Sequence, residues 1–139
     1  MTYTKFTHIL QNMKFNLIAA YKRPAIKIVE KSWGRELWIA NDESNNYCGK
    51  ILTVKRGHRF SMHFHDKKVE TFYVSKGKLK VWLLDLTDAS VHEGLLEKGD
   101  CLDLPRLQPH EVEAIEDSEI LEFSTFHKDE DSFRVWRKM

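Results

Sequence analysis

The chain has no excess of charge of either sign. Its 22 Lys and Arg are balanced by 21 Asp and Glu, a formal net charge of +1 over 139 residues. Without a basic surplus there is no electrostatic footprint for nucleic acid or an anionic membrane, and neither is expected as a partner. Long apolar runs are missing too. No stretch approaches the roughly 18 residues of a membrane span, and Lys5, His8, Gln11, Asn12 and Lys14 break up the N-terminus where a secretory signal needs an unbroken apolar segment. Cytoplasmic residence follows as the expectation. Cysteine is scarce: Cys48 and Cys101 lie far apart and outside any CxxC spacing, which argues against a zinc knuckle or a disulfide framework and leaves both as reduced fillers within strands. Repeats, low-complexity tracts and linkers are also absent, so one domain is expected.

What the chain does have is the composition of a globular protein, 42% hydrophobic and 31% charged. Phe6, Ile9, Leu10, Met13 and Leu17 fall at helical spacing and predict an amphipathic helix over part of residues 4–18, although Asn16 to Tyr21 equally reads as a short strand. Pro24 closes this segment, Ile26 to Val29 alternates weakly, and Ser32-Trp33-Gly34 reads as a turn. Beyond Gly34 come short strand-like runs at 36–40, 47–55, 59–65, 69–75, 78–85, 91–96, 101–104, 109–115 and 119–126, with turn residues between them. Such a succession predicts an all-β antiparallel sandwich or barrel. Residues 1–30 are assigned to an N-terminal extension, 31–135 to the barrel and 136–139 to a tail; the polar stretch from Lys128 onward is expected at the surface, pinned by Phe133, Val135 and Trp136.

Chemistry concentrates between Gly57 and Gly77. His63 and His65 stand two apart, so on a strand both imidazoles share one face. Glu70 follows beyond the polar link Asp66-Lys67-Lys68, which can turn the chain and return the carboxylate to the same point. By the period of two, an inward Glu70 brings Phe72 and Val74 inward and turns Thr71 and Tyr73 away. His8, His58, His92 and His127 are read as surface or capping residues.

Gly57, His63, His65, Glu70 and Gly77 match every fixed position of the first cupin motif. Gly99, Pro105 and His110 approximate the second, which departs at Leu107, usually glycine, and at Ala114, usually asparagine. The chain thus resembles the cupins. That resemblance implies a single-domain, jelly-roll-like β-barrel holding one divalent ion (iron, manganese, nickel or zinc) on His63, His65, Glu70 and His110. Imidazole with carboxylate suits such an ion and leaves positions open for water or substrate.

A narrower likeness runs over residues 31–135, through Ser32-Trp33-Gly34, Lys50 to Lys55, Ser61, Ile120-Leu121-Glu122 and Glu130 to Arg134. It is similar to the cupin domain of type II mannose-6-phosphate isomerases and related sugar isomerases, which carry glutamine where this chain has His63. The likeness implies proton transfer in a sugar or sugar phosphate through an enediolate, with Lys50 and Glu122 as catalytic candidates. Arg59, which shares strand parity with His63, is a candidate for substrate binding, as are Phe72 and Arg134. A metal-dependent dioxygenase and a non-catalytic sugar-binding cupin are the alternatives. The N-terminal extension points to a homodimer.

Overall fold

The computed structural model describes residues 4–5 and 16–136. Most of the predicted N-terminal helix lies outside them; where that prediction ends, and where a short strand is the other reading, a separate short helix begins, α1 (Leu17–Tyr21), N-capped by the Asn16 side chain, whose Oδ1 accepts from Ala19 N at 3.1 Å. Eleven strands follow among the described residues: β1 Lys27–Lys31, β2 Gly34–Asp42, β3 Tyr47–Val54, β4 Arg59–Phe64, β5 Glu70–Lys76, β6 Lys78–Leu84, β7 Val91–Glu97, β8 Cys101–Leu104, β9 His110–Ala114, β10 Ser118–Ser124 and β11 Phe133–Arg134.

They form two antiparallel sheets, one of six strands in the order β1-β2-β3-β10-β5-β8 and one of five in the order β11-β4-β9-β6-β7. Strands distant in sequence become neighbours, as when β10 inserts between β3 and β5. The all-β expectation therefore holds, in an arrangement of two facing sheets.

Two strands depart from the expected boundaries. β1 pairs with β2 from Lys27↔Trp38 to Lys31↔Gly34, so it straddles the boundary drawn at residue 30. β11 lies in what was expected to be a surface tail: Phe133 and Arg134 pair with Phe64 and His63, and the Phe133 ring stacks on Phe64 at 5.3 Å. Each run is too short or too weakly alternating to read as a strand alone; a neighbouring strand supplies the hydrogen bonds. Cys101 is exposed on β8 rather than filling the interior, whereas Cys48 is buried on β3.

The core lies between the sheets. Leu52 and Val54 of β3, Phe72 and Val74 of β5 and Ile120 of β10 face Leu79 and Val81 of β6 and Val112 and Ala114 of β9. Two glycines make the tight corners. A side chain at Gly34 (φ +149°) would drive into the Thr53 carbonyl, and one at Gly77 (φ +87°) would meet Ser118 Oγ and the Asp117 carbonyl.

Candidate metal centre

Near one end of the same interior the side chains become polar. On the six-stranded sheet, Lys50 of β3, Glu122 of β10 and Phe72 of β5 stand side by side, since Glu122 pairs with both neighbours in the register. All three are buried. The inward parity expected for Glu70, Phe72 and Val74 is observed: each is buried, while Thr71 and Tyr73 alternate with them at partial exposure. From the five-stranded sheet His63 and His110 pair directly across β4 and β9. His65 sits just past β4.

The three histidines converge, with candidate ligand atoms all within 4.8 Å of one another. Each Nδ1 lies against a backbone carbonyl: His63 on Ser61 O at 2.7 Å, His65 on Asp131 O at 2.8 Å and His110 on Gln108 O at 2.9 Å. A carbonyl only accepts, so each Nδ1 must donate, which leaves Nε2 of a neutral ring with its lone pair free. Burial, with His110 close by, pushes the pKa of His63 down to about 3, keeping that ring neutral.

Glu70 reaches His65 Nε2 at 3.3 Å and His110 Nε2 at 3.2 Å. Its Oε2 and the Nε2 of His110 are both buried and lack a hydrogen-bond partner. Two acceptors that close, each without a donor, are costly in a desolvated place. A cation between them removes the conflict, so the residues present fit a divalent ion. The four side chains would hold it.

Behind Glu70 lies a charge network that sequence reasoning missed. Lys68, placed in a polar link by the sequence, is buried; its Nζ lies 2.8 Å from Glu70 Oε1, 3.0 Å from Glu122 Oε2 and 3.1 Å from His127 Nδ1. Burial works against its charge, but Glu122 and Glu70 outweigh it and raise the ammonium pKa. For Glu70, burial is likewise overcome and its pKa lies well below the usual range, a shift to which the Lys68 ammonium contributes. His127, expected at the surface, is largely covered, with Nε2 2.9 Å from Asp129 Oδ1. The turn carrying Lys68 is held from the C-terminal segment: the Asp131 carboxylate accepts from the amides of Asp66, Lys67 and Lys68 at 2.9 to 3.2 Å. The only sequence signal for this was the run Glu130 to Arg134, which carries no spacing rule.

His63, His65, Lys68, Glu70, Glu122, His127 and Asp129 line a cavity of about 390 Å³, together with Lys31, Trp33, Glu36, Ser61 and Arg134. Lys50 is buried there with Nζ 4.0 Å above the Trp38 ring and 3.9 Å from Glu36; burial pushes its pKa down, partly offset by Glu122. Arg134 is exposed at the rim, with no ion pair among the described residues. Arg59 is elsewhere. Its parity with His63 is broken by a β-bulge between Phe60 and His63, so Arg59 turns outward to Glu111 at 3.6 Å and Glu113 at 3.8 Å. His58, beside the turn at 56–57, and His92, on β7, are exposed and form local contacts, as expected, and His8 lies outside the described residues.

The cupin domain family matches residues 50–126, more than half of the chain and the span that carries all four candidate ligands. The chain is a cupin. No curated protein matches this cupin. Among solved structures it resembles CapF, a capsular polysaccharide assembling protein from Staphylococcus aureus, with TM-score 0.70 and 18% identity over 86% of this chain and 34% of that one. Oxalate decarboxylase from Bacillus subtilis superposes with TM-score 0.68 and 17% identity over 78% of this chain and 30% of that one; Mn(II) centres are described for that enzyme. KdgF from Halomonas sp. gives TM-score 0.59 and 18% identity over 84% of this chain and 96% of that one. At such identities the likeness concerns the fold, and this cupin spans only about a third of the CapF and oxalate decarboxylase chains. No helix among the described residues is long and apolar enough to cross a membrane.

Proposed function

We propose that this cupin is a metal-dependent isomerase or epimerase of a sugar or sugar phosphate. The observation that carries this reading is the buried Lys68 ammonium, which joins a candidate metal ligand, Glu70, to a second carboxylate, Glu122, inside a polar cavity. Moving a proton between adjacent carbons needs a base beside the group that stabilises the enediolate. Glu122 is that base. Lys68 and Ser124 both donate to its Oε2, at 3.0 and 3.3 Å, leaving Oε1 to take the proton from one carbon and return it to the next.

When bound at His63, His65, Glu70 and His110, a divalent ion supplies a Lewis acid for the negative charge that develops on the substrate oxygens. The protein does the rest. Lys68 keeps Glu122 oriented, Phe72 walls the cavity, and Lys50 offers its ammonium to substrate hydroxyls from above Trp38. Arg134 at the rim suits an anionic group such as a phosphate. The description of CapF as a polysaccharide assembling protein is in keeping with carbohydrate chemistry.

The test is metal analysis of the purified protein, followed by incubation with aldoses and ketoses, free and phosphorylated, in heavy water. Deuterium should enter carbon 1 or 2 and should vanish in Glu122→Gln while the metal is retained. Oxygen uptake without deuterium incorporation would replace this reading with the dioxygenase.

A further inference from the structure

The cavity is longer than the proton transfer requires. Its lining runs from Glu70 on β5 to Lys31 on β1, and the order β1-β2-β3-β10-β5 puts four strand spacings between them. At about 4.8 Å each, these amount to roughly 19 Å along the sheet. Glu70, Phe72 and Glu122 occupy the β5 and β10 end, and Lys50 on β3 marks the middle. An open-chain hexose reaching from the candidate ligands to Lys50 covers about two of those spacings. The β1 and β2 end lies beyond it.

That end is polar and built. Trp33, on the turn between β1 and β2, packs on Phe60 with ring centroids 5.2 Å apart. Glu36 accepts from Trp38 Nε1 on Oε2 at 2.9 Å, while its Oε1 has no partner among the described residues. The Lys50 ammonium, 2% exposed, lies 3.9 Å from Glu36 and has no hydrogen-bond acceptor among the described residues. The pKa of Asp129 is lowered by its hydrogen bond to His127 and also by the charges of Lys31 and Lys50, so this carboxylate faces Lys31 across the cavity. Each cation here has a carboxylate opposite it, and no surplus charge is left for an anion.

We propose that the β1 and β2 end is a second saccharide subsite and that the substrate is a reducing disaccharide, with its reducing sugar open at the candidate ligands and its other ring held between Trp33, Glu36 and Lys31. An indole packs against the C–H face of a sugar ring, and a free carboxylate oxygen beside an ammonium answers hydroxyls that both donate and accept. The balanced charge suits a neutral ring rather than a second phosphate. Lys31, Trp33 and Glu36 lie outside the span 50–126 matched by the cupin domain family, so the subsite is a property of this chain's β1–β2 hairpin. The position of the reducing end rests on the isomerase reading; the seat for the other ring rests on the hairpin alone.

Titration calorimetry of the full chain, purified with its metal, tests this with matched sugars: glucose against maltose and cellobiose, and mannose against β-1,4-mannobiose. At least one disaccharide should bind about 10-fold more tightly than its reducing-end monosaccharide. Lys31→Ala and Glu36→Gln, which leave the metal ligands in place, should each cut that ratio to about 3-fold or less, with fold and metal content checked by circular dichroism and metal analysis. A wild type in which no disaccharide gains over its monosaccharide, or a gain that survives both variants, would overturn the proposal. Deuterium exchange on the same sugars separates the two readings. Exchange into monosaccharides with no disaccharide gain defeats the subsite and keeps the isomerase, whereas tight disaccharide binding without exchange defeats the isomerase and keeps the subsite.

Discussion

Three strands carry both the driest and the most charged parts of this molecule. On β3, Leu52 and Val54 belong to the core while Lys50 faces the cavity; on β5, Val74 belongs to the core while Glu70 faces the candidate ligands; on β10, Ile120 is core and Glu122 is not. All point inward by the same period of two, and neighbouring rows differ only in residue type. The apolar rows need nothing but close packing. The polar rows bury Lys50, Glu70 and Glu122, with Lys68 folded in from the turn before β5, and their desolvation is offset by mutual pairing. The two regions should therefore fail differently: core substitutions lower stability and spare the chemistry, whereas site substitutions do the reverse unless they leave a buried charge alone.

The sharpest contrast is expected from Glu122→Gln, which keeps size and polarity but removes the base. Deuterium exchange should fall about 10²- to 10⁴-fold with metal content unchanged, and an unaltered exchange rate would remove Glu122 from the mechanism. Next comes Lys68→Met, a site change that should mimic a core change. With Glu70 and Glu122 left uncompensated, metal-free protein should lose about 3–5 kcal/mol in urea unfolding. Leu79→Ala, at the apolar end, should cost about 2–5 kcal/mol and leave the metal affinity as it was; a metal lost with the leucine would show that the two ends are not separable.

Smaller effects refine the boundary. Asp131→Asn weakens the acceptor that gathers the amides of residues 66–68 and should reduce metal affinity about 10-fold by loosening His65 and Lys68, as competition with a chelator would show. Arg59→Ala should change stability by less than about 1 kcal/mol, because its pairs are partly exposed, and should leave exchange untouched. Loss of exchange in that variant would return Arg59 to the site.

Much of this was legible beforehand because it depended on short-range periodicity. Glu70 and Phe72 required one strand with a period of two, and the His63 and His65 pair was visible as a spacing. The reading of Arg59 failed for the same reason that the others worked: a single extra residue between Phe60 and His63 reverses parity, and a bulge leaves no mark in residue types. Lys68 and His127 were missed because their partners lie 54 and 59 residues apart along the chain. A lysine in a polar link looks solvated until a distant glutamate is folded against it.

By itself the sequence determined the strand-rich composition, the inward set Glu70, Phe72 and Val74 and the shared face of His63 and His65, since these follow from side-chain alternation over a few residues, whereas His110 entered the candidate set through the resemblance to the cupin motifs. Only the tertiary structure decided that β10 lies between β3 and β5 and that the Asp131 segment closes over the His65 turn. It alone placed Lys68 between two carboxylates, because long-range pairing is chosen by the packing of the whole chain rather than by any local pattern.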